Sequence, residues 1–327
     1  GEKMRDNRIS PLLILLMVLL TAALGVSYFF LPGAPDRTGA LFSTPWLSAL
    51  AAVLSLAAAS VSMGLLNYRS FLFSADTRLL YLPFLIWILS IPGSMEFGLY
   101  HIALLLMLWS MFLALAYVSS ERLRSEYAFG AVVLAGSASI MVPPLIYTEI
   151  FIVFYCLYVR KQEPVRYLLA CLAGAALPWL YVLVAGYIFP GLQGIEECAQ
   201  VFSERMALSV PVPEVMQTYE MVWAGFAFLL ILRSLAFSVA HRREKSKAQK
   251  NSFGFSGALA VLAILTAAFC SRLEAPLFTM TAAVPVSFLA FDLFTNGRKG
   301  EVSLWLILLM LLAVAQRVLD FFPDIQF

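Results

Sequence analysis

The stretch from Pro11 to Leu31, PLLILLMVLLTAALGVSYFFL, runs for 21 residues without one charged side chain. At about 1.5 Å of rise per residue, a helix of that length crosses the roughly 30 Å hydrocarbon core of a bilayer. Toward the other terminus, Val302 to Val318, VSLWLILLMLLAVAQRV, is apolar in the same way until Gln316 and Arg317. Inside hydrocarbon each backbone N–H and C=O needs an internal partner, which leaves only helices and closed barrels as spanning structures. Barrel strands alternate apolar and polar residues over about ten positions. These runs are continuous, so they read as helices. The whole chain agrees: it is 61% hydrophobic and 13% charged, with mean hydropathy +0.86, against roughly 45–50% apolar and about 25% charged in soluble domains.

Working outward from the first run, the sequence predicts an all-α, polytopic transmembrane helix bundle forming a single domain over residues 1–327. Eleven membrane segments are expected, at 11–31, 46–66, 79–92, 98–118, 127–143, 145–159, 167–189, 218–240, 255–271, 276–294 and 301–320. The third, fifth and sixth are short, and Pro143 and Pro144 alone separate the fifth from the sixth. Proline cannot donate the bond a helix interior requires, so these two segments are expected to be tilted helices meeting at a turn or a hairpin that does not fully span.

Orientation follows from charge. With the N-terminus in the cytoplasm, 17 of the 22 basic residues fall on inner segments, from Lys3, Arg5 and Arg8 through the run His241–Lys250 to Arg298 and Lys299. The outer segments hold Arg37, Arg205 and Arg272, and Arg233 and Arg317 fall within spans. This asymmetry is what the positive-inside rule requires, and it puts the C-terminus outside and the chain in an inner (cytoplasmic) membrane. The first segment is longer than the 7–15 apolar residues of a secretory signal, so a retained helix is expected. The run from His241 to Lys250 reads as inner charge that meets anionic headgroups.

The motif search is mostly negative. Cys156, Cys171, Cys198 and Cys270 show no metal-ligand spacing, although Cys198 and Cys270 share the outer side. No zinc motif, phosphate-binding glycine loop, nucleotide fingerprint or nucleophile elbow is present, and no motif points to a nucleic acid.

The longest outer loop, about 190–217, places Ile195, Cys198, Ala199, Phe202 and Met206 at spacings of three and four. Glu196, Glu197, Gln200, Glu204 and Arg205 fall on the opposite face. That period predicts an amphipathic helix lying on the membrane surface or capping the bundle, with Val210 to Pro213 as a strap.

Ionisable groups in or beside spans are costly in lipid and therefore candidates for function. Glu96, His101, Glu149, Asp36, Arg37, Arg272 and Glu274 all belong to the outer level in this topology. Glu149 stands out because Ile150, Phe151, Ile152 and Val153 follow it. Buried there, it needs a partner such as His101 or an arginine, or a proton of its own. Arg317 and Asp320 read as a local ion pair of small value. Asp292 and Arg233 lie near inner ends, where snorkelling accounts for them.

The run from Asn67-Tyr68-Arg69 through Tyr81-Leu82-Pro83, Glu96, His101, Met141-Val142-Pro143-Pro144 and Val159-Arg160-Lys161 to Gly174-Ala175-Ala176-Leu177-Pro178-Trp179 resembles an uncharacterised polytopic inner-membrane family of Bacteroidota. More loosely, Ala128 to Phe189 is similar to the middle of GT-C superfamily membrane glycosyltransferases. That second resemblance implies transfer of a sugar from a polyprenyl phosphate at the outer face. Asp36 would be the base in the first outer loop, and Arg37 or Arg272 would hold the phosphate bidentately. Glu149 or His101 would orient the acceptor, with Glu96 and Glu274 beside the substrate. A divalent cation is left open as a cofactor. This chain departs from that pattern: the first outer loop is about 14 residues, its usual acidic pair is missing, and no soluble C-terminal domain follows. A transporter or flippase of a lipid-linked substrate stays open, as does a non-catalytic subunit that assembles with membrane protein partners.

Overall fold

The computed structural model describes residues 9–30, 41–71, 77–119, 124–159, 163–192, 194–209, 218–270 and 275–321. They form twelve α-helices and, among the described residues, no strands: α1 (Pro11–Phe30), α2 (Pro45–Leu66), α3 (Arg78–Ser90), α4 (Leu99–Ser119), α5 (Ser125–Met141), α6 (Ile146–Val159), α7 (Pro164–Ile188), α8 (Ile195–Met206), α9 (Thr218–Ala240), α10 (Lys247–Phe269), α11 (Ala275–Asn296) and α12 (Lys299–Phe321). Seven of them, α1, α2, α4, α7, α9, α10 and α12, are long and apolar enough to cross a membrane, and α3, α5 and α6 are shorter. The chain is therefore a helical bundle of the multi-pass membrane type.

Bonds between residues distant in sequence join helix ends of one parity. On one side Tyr28 donates to the carbonyls of Leu89 and Ile91, Leu41 N–H to Phe97, Tyr147 to Met206, and Ser209 N–H to Phe269. On the other, Ser252 donates to Ser70, Arg233 to Glu301 and Lys245 to Asp292. The first is the lid end, which carries α8; the second is the basic end.

α11 is the axis. Every residue from Met280 to Phe294 is buried, and α3, α4, α9 and α10 pack around it. A helix covered on all sides belongs to a core. By contrast, α1 and α7 present Leu12, Leu19, Leu169, Leu172 and Tyr181 to the outside, as lipid-facing helices do. Close approach between α5 and its neighbours depends on glycine. A Cβ on Gly174 of α7 would stand 2.9 Å from the Phe129 carbonyl oxygen, and one on Gly130 would stand 2.9 Å from Leu113 of α4. Small residues serve this purpose in membrane bundles, where packing rather than water drives association.

One departure from the sequence reading has a local cause, and the turn at Pro143 and Pro144 is as expected. The basic run expected as loop up to Lys250 ends at Ser246, because a capping box opens α10 there. Ser246 Oγ accepts from Gln249 N–H at 3.2 Å, and the Gln249 side chain accepts from Ser246 N–H at 3.0 Å. This pairing satisfies two amides that would otherwise be orphaned at the helix start. Pro143 and Pro144 open a single 3₁₀ turn between α5 and α6, where proline's missing N–H costs nothing. Within α3, α7 and α11 the prolines Pro83, Pro178 and Pro285 do not end their helices.

Candidate functional site

Glu149 sits in the first turn of α6, just after the Pro143–Leu145 turn that brings α6 alongside α5, and it is 6% exposed. Space for its carboxyl comes from Gly136 of α5. A Cβ there would lie 3.2 Å from Glu149 Oε1 and 3.3 Å from Cγ of Pro178 in α7, so the carboxyl occupies the gap a glycine leaves among three helices. Ser139, one turn along α5, donates to the Gly136 carbonyl at 2.8 Å and lies 3.4 Å from Glu149 Oε2. Among the described residues no cation pairs with Glu149. A carboxyl buried without one depends on neighbouring hydrogen-bond donors such as Ser139.

The amphipathic helix expected at Ile195 to Met206 is α8, and it covers this site. Ile195, Cys198, Phe202 and Met206 are its half-buried face, joined by Arg205, while Ala199 is exposed. Two contacts pin it: Phe202 meets Trp179 edge-on at 5.1 Å, and Tyr147 Oη donates to the Met206 carbonyl at 2.9 Å. Trp179 follows Pro178 and Tyr147 lies two residues before Glu149, so the lid is tied to the residues that frame the carboxyl. Beside it, Thr148 lines an apolar cleft with Met107, Met111, Leu259 and Pro285.

His101 is buried in α4 but is engaged elsewhere. Its Nδ1 accepts from Gly98 N–H at 3.2 Å, and its Nε2 donates to the Ser94 carbonyl at 2.8 Å. The ring stacks on Phe97 and lies tilted against Tyr100. Both nitrogens thus hold the turn between α3 and α4, in which Gly93 takes φ 79°. That positive φ suits a residue without Cβ. The Glu96 carbonyl accepts from Tyr100 Oη in the same turn. The structure therefore keeps His101 and Glu96 in one tight turn at the lid end. It gives Glu149 a hydroxyl neighbour, Ser139, rather than His101. Asp36, Arg37, Arg272, Glu274 and the Val210–Pro213 strap lie outside the described residues. Cys198 and Cys270 are unbridged. Among the described residues no group of three or more His, Cys, Asp or Glu side chains could hold a metal ion.

Three charged residues given modest roles by the sequence are more deeply built in. Asp292 does not snorkel: it is 1% exposed and bonds Lys245 Nζ at 2.5 Å. Lys245 also donates to the carbonyl and hydroxyl oxygens of Ser238, at 3.2 and 3.1 Å. Asn296 donates to the other Asp292 oxygen at 3.2 Å. Arg233 makes a bidentate pair with Glu301, at 2.5 and 3.0 Å. Arg317 lies 3.6 Å from Asp320 as expected. It is also buried, stacks 3.6 Å over the Tyr28 ring and donates to Ser27 Oγ at 2.9 Å, which clamps α12 to α1. Only the acid in each pair, or the arginine in an apolar run, was a visible signal; the partners are too distant in sequence to pair by inspection.

No family model matches the sequence, and no curated protein or solved structure is significantly similar to it. The functional reading therefore rests on the residues themselves.

Proposed function

We propose that this multi-pass membrane protein acts on a lipid-linked substrate at its lid end, with Glu149 as the group that binds and orients the reacting hydroxyl. The observation that carries this reading is the placement of a cation-free, buried carboxyl beneath a pinned amphipathic lid and one helix away from lipid. Pro178 touches the carboxyl gap from α7, and the outward side of α7 is exposed at Leu180, Tyr181 and Val184. An amphiphile can approach from that side with its head beneath α8 and its tail left in the bilayer. The activity class proposed is glycosyl transfer from a polyprenyl phosphate. Asp36 is the base in this scheme and Arg37 or Arg272 the phosphate ligand. The basic end faces the cytoplasm, as the charge asymmetry requires.

The test is binding of a photoreactive polyprenyl phosphate to the purified chain in nanodiscs, with Glu149→Gln and Glu149→Ala compared for product formation in cells. The proposal expects labelling near α7 and α8, and product loss in both variants while the protein still accumulates. Absence of labelling together with full function of Glu149→Ala would refute it.

A second reading, a non-catalytic assembly subunit, draws support from His101, whose two ring nitrogens are both engaged in holding a turn. That reading expects Glu149→Ala to be tolerated and a membrane protein partner to co-purify with the chain.

A further inference from the structure

At the basic end two of the acids are held by bases distant in sequence, while Glu126, Glu163 and Glu244 are exposed. Asp292 is covered by Lys245, and Glu301 is held by Arg233. The side chains of Arg242, Arg243, Lys247, Arg298 and Lys299 are exposed and make no ion pair or hydrogen bond among the described residues. Glu244, in the turn that carries Arg242 and Arg243, is an exposed acid beside these bases. The Lys245–Asp292 bond joins those turns: Lys245 belongs to the segment between α9 and α10, and Asp292 lies just before the turn between α11 and α12. Asn296, which grips Asp292, immediately precedes that second turn.

We infer that the two turns, locked together by Lys245 and Asp292, form one binding site for the phosphate headgroup of an anionic phospholipid. General inner-side charge would not need this arrangement. Here Lys245 and Arg233, 47 and 68 positions from the acids they meet, are drawn onto Asp292 and Glu301, which leaves the other bases of the two turns exposed. Arginines among them can take phosphate oxygens bidentately.

The experiment measures phosphatidylglycerol retained per chain in phosphatidylcholine nanodiscs, by native mass spectrometry over a titration. The variants are Arg242→Gln with Arg243→Gln, Arg298→Gln with Lys299→Gln, and Arg166→Gln. All five positions are exposed, so the fold is preserved. Each pair is expected to weaken apparent affinity by about fivefold per charge removed. Arg166, at the same end but on α7, is expected to leave it unchanged. Equal loss per charge in Arg166→Gln would reveal diffuse attraction and overturn the site, as would either pair binding like the unaltered chain. The proposal is independent of Glu149, so failure here leaves the lid-end reading untouched.

Discussion

Replacing Lys245 by Met tests how the centre of the bundle is held. The side chain is 7% exposed and that of Asp292 1%, so neither charge has water to fall back on. Lys245 uses its ammonium fully, on Asp292 Oδ2, the Ser238 carbonyl and the Ser238 hydroxyl, and stands 4.9 Å from the Phe253 ring centroid. Methionine keeps most of the stem but leaves Asp292 with the Asn296 amide as its donor. Stranding one member of a buried pair costs about 3–5 kcal/mol. Asp292→Leu alone strands the ammonium at similar cost. The double variant Lys245→Met with Asp292→Leu removes both charges and is expected to fall within about 1–2 kcal/mol of the parent, because an apolar pair of like volume replaces an ion pair at little net loss. The coupling between the two sites should therefore reach at least about 4 kcal/mol. Reversible unfolding in mixed micelles, followed by tryptophan fluorescence with a double-mutant cycle, measures it. Additive effects, or single variants costing less than about 1 kcal/mol, would refute the claim that this pair is a desolvated lock.

Alanine at four glycines should separate tight sites from open ones. Gly174→Ala meets a backbone oxygen at 2.9 Å and Gly136→Ala meets Glu149 and Pro178 at 3.2 and 3.3 Å, so losses of about 1–3 kcal/mol are expected, larger at Gly174 because backbone cannot swing aside. Gly25→Ala and Gly225→Ala meet nothing within 4 Å and should gain up to about 1 kcal/mol; the same unfolding assay reads all four. His101→Phe keeps the stacking but loses both turn bonds, and should destabilise by about 1–3 kcal/mol, seen as faster amide exchange over residues 91–98. Tyr147→Phe removes the bond to Met206, so amide exchange in α8 should rise while α5 and α6 stay protected; unchanged exchange in α8 would show that the lid is held by other contacts.

How much of this was legible in the sequence depends on the range of each interaction. The α8 lid was visible because Ile195, Cys198, Phe202 and Met206 repeat within one helix. Glu149 was visible as an acid before an apolar run, but its cradle was not, since Gly136 and Pro178 come from other helices. The capping box at Ser246 and Gln249 was local, yet the lysines around it made the segment look like loop. Lys245 and Asp292 are 47 positions apart, and only packing of α9, α10 and α11 brings them together. The task of His101 is decided by a turn whose geometry no spacing announces.

The enclosure of α11 from Met280 to Phe294 shapes how the molecule can be altered. Lipid tails are as apolar as leucine, so Phe288 and Phe291 gain little by leaving lipid for protein, and apolarity alone cannot tell this helix where to stand. Fit must do so: the grooves of α3, α9 and α10 accept one shape, and the Asp292 carboxylate has one ammonium waiting at one depth. In an inherited variant series, changes of volume along it should be purged while exchanges among greasy residues on α1 and α7 drift freely.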